Sequence, residues 1–525
     1  MTKTHHGVRI GLLMVLAAVL LGWLSRHTAV FFDDGIRYIT QAQGLAQGSW
    51  KDGLLRAVDH PAYPTAIALV HRGMGGDSPQ AWQTSAQTAS VLIGVLLVIP
   101  LYLVSLELFG ARSAWLAVLV TYAVPLTGHV LADVLSEGTF LLFWMWGLYA
   151  ALRFLREGRF FWLPPMILGG GLAYLSRPEG LLLPAAMVAT LAFVPFLKTT
   201  RLNWPRWWAA VGFLVIGPVL IVGPYVAAKG GLGTKPAVQR LLGTAPKSGA
   251  TAVERSRPLE ADQSTTKTYA YAAKAVFEAV RDSVTLPLLP LAVLGIIGTI
   301  RRSSGDRTRV GVFLAVIFGA SILALIRLHA TGGYCSPRHA MILAFLLLPA
   351  AAVAMDRLLT SLPLPGRWLG LPPGEKIAAG PILWVFALGG FVAWNARATL
   401  EPINFDKAGY KNAGLWVAEH VPSGAKVVDV TGLSLFFGAH PGYTFADLDH
   451  AETDANLRWV VVRDNHLKGP WVYCRQLKGL VDGLEPVAVF PADPKPGQSI
   501  VYVFDRSSGQ KNSVAGGQKT GTSTR

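Results

Sequence analysis

Two adjacent carboxylates, Asp33 and Asp34, stand in the segment Phe31-Phe32-Asp33-Asp34-Gly35-Ile36-Arg37-Tyr38. Neighbouring carboxylates repel, and each raises the other's pKa unless a cation or an acceptor group lies between them. A carboxylate in that position can take a proton from an attacking hydroxyl, with Asp33 favoured over Asp34 for the role. On a helix beginning here, Arg37 is four residues from Asp33 and Tyr38 four from Asp34, so both pairs can meet. The plain alternative is a helix N-cap with a solvated acidic turn. Asp133 and Glu137 form a second acidic pair at the same spacing. They suit acceptor binding, or a share with Asp33 or Asp34 in a divalent cation (Mg or Mn); the alternative is a charge favoured by a helix N-terminus. Arg177, in Ser176-Arg177-Pro178-Glu179-Gly180, and Arg338, in Pro337-Arg338-His339, carry guanidinium groups that meet phosphate oxygens bidentately. Either can instead anchor a helix end at an interface.

These residues must be positioned by a membrane protein. The chain has 525 residues, of which 52% are hydrophobic and 15% charged, and a mean hydropathy of +0.41. Soluble domains carry about 25% charged residues. The formal net charge is +16, with 47 Lys and Arg against 31 Asp and Glu. Much of that excess lies in short loops between apolar runs, where it signals orientation rather than nucleic-acid binding. Basic loops also favour anionic lipid headgroups, so the bilayer and a lipid phosphate are the expected partners. Two cysteines, Cys335 and Cys474, exclude a disulfide scaffold or a four-cysteine zinc site, although they can pair with each other. Walker, dinucleotide and clustered zinc-ligand motifs are missing, which argues against direct use of ATP or a nucleotide sugar.

A span needs roughly 20 apolar residues. That ruler gives about eleven spans, near 8–25, 87–108, 114–131, 138–152, 161–176, 180–197, 208–228, 284–300, 310–327, 340–355 and 378–396. Arg112, Arg153, Arg156, Arg159, Lys198, Arg201 and Arg206 fall on the side of the N-terminus, as do Arg301, Arg302, Arg307, Arg309, Arg357, Arg367 and Lys376. That side is therefore read as cytoplasmic. The first outer loop, 26–86, carries Ile36, Ile39, Ala42 and Leu45 at helical spacing and reads as interfacial helices. A second outer loop, 229–282, is rich in Gly, Ala, Lys and Thr and reads as mobile. Residues 1–397 thus form the membrane domain, and 398–506 a small extracytoplasmic α/β domain. In the latter, Tyr410 to His420 reads as a helix, and Lys426 to Val430, Trp459 to Arg463 and Ile500 to Phe504 as strands. The tail, 507–525, has a disordered composition.

The first-loop Asp-Asp followed by Tyr38, then His60-Pro61-Ala62-Tyr63-Pro64, resembles the GT-C superfamily of membrane glycosyltransferases. The branch it looks most like contains the protein O-mannosyltransferases and the bacterial aminoarabinose transferases of lipid A. Leu135-Ser136-Glu137, the Arg177 and Arg338 segments and the outer C-terminal domain extend the likeness. The resemblance implies a polytopic α-helical membrane fold and an acidic first-loop base. It also implies a polyprenyl-phosphate sugar donor and transfer of a hexose or pentose with inversion on the extracytoplasmic face. The acceptor is left open between a protein, a glycolipid and a glycan. In the aminoarabinose transferases a lysine precedes the first-loop proline and contacts the carrier phosphate. Here His60 stands there, so the contact becomes pH dependent or passes to Arg56 or Arg338. With no retention signal at the C-terminal end, the bacterial inner membrane is the expected location. A transporter or a flippase for lipid-linked sugars is the alternative. It would show repeated halves and a site at mid-membrane, whereas the acidic residues here fall at span ends.

Overall fold

A computed structural model describes residues 3–49, 51–196, 204–231, 239, 265–300, 305–332, 335–361, 364–365, 376–377 and 380–507. Most of the expected outer loop 229–282 and nearly all of the tail lie outside the described residues.

Among the described residues each of the eleven apolar segments is helical over most of its length, but six helices, or eight spans if each bent pair counts as one, are long and apolar enough to cross a membrane, fewer than the eleven expected. Helices α1 (Lys3–His27), α4 (Pro79–Phe109), α7 (Glu137–Glu157) and the helix Trp204–Lys229 contain four of the six stretches that, among the described residues, are each long and apolar enough to cross a bilayer. Thr308–Thr331 and Pro337–Ser361 are the other two. Shorter apolar helices, Phe160–Tyr174 and Pro178–Phe193, fill the middle of the chain, and Gly380–Leu400 leads into the C-terminal domain.

Two segments depart from a straight span. The run expected at 114–131 is split into α5 (Ala111–Ala123) and α6 (Pro125–Ala132), bent by 75°. Pro125 has no N–H and pushes the preceding Val124 into extended backbone, so one helix stops and another starts with proline in its first turn. The segment near 284–300 is preceded, across a 91° bend, by a helix inside the loop read as mobile. This helix, Thr265–Val284, buries Ala272, Val276, Val280 and Val284 at four-residue spacing. That stripe packs on the apolar face of Met341–Ser361, so its sequence orders it despite the polar loop before it. Elsewhere small residues let backbones touch: a Cβ on Gly169 would come within 2.6 Å of the Gly147 nitrogen, so α7 and Leu163–Tyr174 pack closely.

Between α1 and α4, α2 (Asp34–Ala46) and α3 (Ala62–Met74) flank a π-turn, Asp52–Arg56. The C-terminal domain begins with Gly409–His420 and builds a five-stranded sheet. The strands are β1 (Val427–Val428), β2 (Gly442–Tyr443), β3 (Trp459–Arg463), β4 (Pro486–Phe490) and β5 (Val501–Asp505). Their order is β2-β1-β3-β5-β4, with β2, β1 and β3 parallel and β5 and β4 antiparallel. Along β3 the side chains alternate. Trp459 and Val461 join the apolar cluster that continues into the membrane bundle, while Val460 and Val462 face Leu477, Leu480 and Val481 on the other side.

The domain is seated on the bundle end that carries Asp33. The Phe31 ring packs edge-on against Phe436, with centroids 5.2 Å apart, and Ile403 N–H donates to Thr28 Oγ1 at 3.3 Å. Cys335 and Cys474 do not pair; both thiols are free. Cys474 is buried in the C-terminal domain beside Gly469, which fixes it in the domain's own core and away from the bundle.

Candidate active site

The site begins where α1 ends. Thr28 Oγ1 donates to Leu24 O at 2.7 Å, closing the last turn while accepting from the C-terminal domain. The chain then runs through Phe31 and Phe32 into α2, which starts at Asp34. Gly35 permits this tight entry: a Cβ there would lie 2.5 Å from the buried Phe31 ring and 3.0 Å from Val134 Cβ. Asp133, between α6 and α7, holds the segment from below. Its Oδ1 accepts from Phe32 N–H at 3.1 Å and Val134 N–H at 2.7 Å. Its Oδ2 accepts from Asn404 Nδ2 at 3.0 Å. Burial pushes this carboxyl up to about 6, opposed by those three donors.

Asn404 is thereby the joint between domain and bundle. Its backbone is left-handed (φ 51°), and its amide also reaches Val30 O at 3.4 Å. Asn tolerates that conformation better than most residues. Asn404→Ala removes both bonds and adds backbone strain. It is expected to cost about 1–3 kcal/mol, read as a lower Tm of the detergent-purified protein.

Just beyond Asn404 the chain turns back over the acidic loop, and Lys407 Nζ meets Asp33 Oδ1 at 2.8 Å. Among the described residues, Asp33 Oδ2 has no hydrogen-bond partner in the protein. Asp34 is held differently. Its Oδ2 meets Arg338 Nη2 at 2.6 Å, and its Oδ1 meets Arg37 Nη2 at 3.0 Å. Arg37 continues to the buried Asp59, Nε to Oδ2 at 2.7 Å. Arg338 is set by the turn before it: Ser336 Oγ accepts from Arg338 N–H, and His339 Nδ1 lies 3.0 Å from Ser336 N. Its Nε stands 3.9 Å from Glu137 Oε1. Glu137, with a side chain only 2% exposed, is clasped by Arg177 Nη1 at 2.7 Å, and Arg177 Nη2 meets Glu179 at 2.9 Å.

The ring of Phe32 completes the arrangement. Arg338 Cζ and Lys407 Nζ each lie 4.3 Å from its centroid. An aromatic face attracts cations without neutralising them. Two cations, 13% and 12% exposed, are thus held beside a carboxylate with one open oxygen. Such a constellation can receive a proton and steady a departing anion.

Several expected contacts are rearranged. Arg37 meets Asp34 and Asp59 rather than Asp33. The reason is that α2 starts at Asp34, and Asp33 turns up towards the C-terminal domain. Tyr38 does not meet Asp34 but faces inward, its hydroxyl 3.0 Å from Ser136 Oγ. Tyr63 is also buried, bonded to Ser90 Oγ at 2.6 Å, and stacks edge-on with Tyr38. His60 is buried with its ring against Tyr174 and Tyr225, at centroid distances of 5.0 and 5.7 Å. Arg56 ends the π-turn, and its side chain is outside the described residues. Asp133 and Glu137 diverge: one meets amides, the other guanidinium groups. Among the described residues no three His, Cys, Asp or Glu side chains come together as a metal-ligand set. As arranged, the acidic pair does not offer the paired oxygens that Mg or Mn would require. Lys407, Asn404 and Phe32 had no motif to mark them; the one available signal was the chain's return from its last span directly into Asn404.

A bundle of apolar helices carries an acidic loop beneath a C-terminal α/β domain. Residues 79–222 match the family model of the dolichyl-phosphate-mannose-protein mannosyltransferases. The fold is similar to that of the Archaeoglobus fulgidus oligosaccharyltransferase tethered with an acceptor peptide containing the NVT sequon. The TM-score is 0.59 at 11% identity, covering 94% of this chain and 74% of that one. It is similar to AglB from the same organism in complex with an inhibitory peptide and a dolichol-phosphate, with TM-score 0.57, 12% identity and coverage of 95% and 74%. It is similar as well to ArnT from Cupriavidus metallidurans bound to undecaprenyl phosphate, with TM-score 0.57, 15% identity and coverage of 96% and 98%. No curated protein matches the chain in sequence.

Proposed function

We propose that this protein transfers a sugar from a polyprenyl-phosphate carrier to a hydroxyl-bearing acceptor on the extracytoplasmic face of a bacterial inner membrane. In this reading the N-terminus is cytoplasmic and the C-terminal domain is outside. One observation carries it: Lys407 and Arg338 stand over Phe32 while Asp33 keeps one carboxylate oxygen open. Asp33 takes the proton of the acceptor hydroxyl as its oxygen attacks the anomeric carbon. The bond from that carbon to the carrier phosphate breaks, and its electron pair leaves on the phosphate. Arg338 and Lys407 balance the charge that develops there, Arg338 through its planar fork and Lys407 as a point charge. Attack on the face opposite the leaving phosphate inverts the configuration. Asp34 and Glu137 do not react; they hold Arg338, and Arg177 in turn holds Glu137. The relatives bound to dolichol-phosphate and undecaprenyl phosphate support a lipid-phosphate ligand for this fold.

The test is a donor panel. Purified protein is incubated with polyprenyl-phosphate sugars, polyprenyl-pyrophosphate sugars and nucleotide sugars, and release of the carrier or nucleotide is followed. Turnover with a polyprenyl-phosphate sugar is expected. Turnover confined to a nucleotide sugar would refute the assignment.

A further inference from the structure

At the opposite end of the bundle lies a second cavity, of ≈ 670 Å³. Helix α7 sets its depth: Glu137 belongs to the site above, whereas Arg156, near the other end of the same helix, lines this cavity. At 1.5 Å per residue the two are about 28 Å apart along the axis, close to the thickness of the hydrocarbon core. The cavity therefore opens where lipid phosphates of the other leaflet lie.

Its lining is divided. Leu314, Phe318 and Leu347 contribute to an apolar interior, and Glu107, Arg156 and Arg357 mark its polar margin. Glu107 is already engaged, by Arg153 at 3.1 Å and Arg156 at 2.8 Å. Arg112 lies 3.2 Å from Asp356, beside Arg357. Among the described residues of this margin and the ion pairs beside it, Arg112, Arg153, Arg156, Arg159 and Arg357 outnumber the carboxylates Glu107, Glu157 and Asp356. An apolar cleft between helices, with a net positive rim at the interface, matches a molecule with acyl chains and a phosphate of net negative charge. A zwitterionic headgroup offers no such complement.

We propose that this cavity binds an anionic phospholipid from the leaflet opposite the Asp33 site, its chains among Leu314, Phe318 and Leu347 and its phosphate at Arg156 and Arg357. The lipid wedges α4, α7 and the helices Gly305–Gly332 and Met341–Ser361 together at their far ends. The site stands independently of the chemistry above.

The full-length protein, delipidated in detergent, is titrated with phosphatidylglycerol and phosphatidylcholine of identical acyl chains, and bound lipid is counted by native mass spectrometry. Wild type is expected to retain phosphatidylglycerol about fivefold better or more, the scale of one basic residue at a lipid phosphate. Arg357→Gln is expected to bring the two lipids level. Gly311→Leu tests the interior without changing charge. Gly311 lines the cavity and an added Cβ meets no atom within 4 Å, so the new side chain takes the acyl space and lowers phosphatidylglycerol retention. Equal retention of the two lipids by wild type overturns the proposal, as does an unchanged phosphatidylglycerol preference in Arg357→Gln or an unchanged phosphatidylglycerol retention in Gly311→Leu.

Discussion

Asp33→Asn is expected to lower kcat for sugar transfer by about 10²–10⁴-fold while leaving the donor KM nearly unchanged. The asparagine keeps the size of the side chain, and its carbonyl oxygen can still accept from Lys407, so the seat of the C-terminal domain is preserved. What disappears is the basic oxygen that faces no protein donor among the described residues. Asp34→Asn behaves differently. Asp34 spends one oxygen on Arg338 and the other on Arg37, so its loss is expected to loosen the guanidinium proposed to meet the phosphate and to raise the donor KM. Steady-state kinetics of the two variants with one polyprenyl-phosphate sugar separates the roles. Activity of Asp33→Asn within a few-fold of wild type, with Asp34→Asn inactive, would move the base to Asp34.

Arg338→Gln is the second large effect. In the proposed reaction the partly buried Arg338 guanidinium faces the departing phosphate, a contact worth about 10²–10³ in rate, the scale for removing one preorganised donor from a transition state. The substitution also weakens the hold on Asp34, while Glu137 retains Arg177 at 2.7 Å. Folding should therefore survive with a modest drop in Tm, and kcat/KM for the donor should carry most of the loss. Arg338→Lys restores charge but not the planar fork, and is expected to recover only part of the rate. Full recovery by lysine would reduce Arg338 to a point charge and remove the bidentate contact. An unaltered kcat/KM in Arg338→Gln would remove the residue from the site altogether.

The parts of this structure that were legible in the sequence are those governed by local periodicity. The apolar runs of α1, α4 and α7 are helices, and Trp459–Arg463 is a strand, because hydrophobic spacing and β-branched content fix them without reference to the rest of the chain. The break at Pro125 was written in the sequence too, but an unbroken apolar run around it concealed the bend. Spacing misled at Asp33 and Arg37. The four-residue rule holds only inside a helix, and Asp33 stands just before α2, so the helical partner of Arg37 is Asp34. Lys407 was beyond reach for a different reason. It meets Asp33 across a sequence separation of 374, through an interface made by Thr28, Asn404 and Asp133, of which only Asp133 was marked by its spacing, and for a different role. The environment of His60 was equally invisible: its neighbours Tyr174 and Tyr225 come from separate helices.

In the proposed reaction the cations over Phe32 hold the phosphate of a lipid carrier. Equilibrium binding of polyprenyl phosphate and of the uncharged polyprenol, to wild type and to the double variant Arg338→Gln/Lys407→Gln, tests it most directly. Wild type should bind the phosphate at least about tenfold more tightly, a difference of about 1.4 kcal/mol, and the double variant should bind the two alike. Equal affinity of wild type for both lipids, or a phosphate preference that survives in the double variant, would contradict the account.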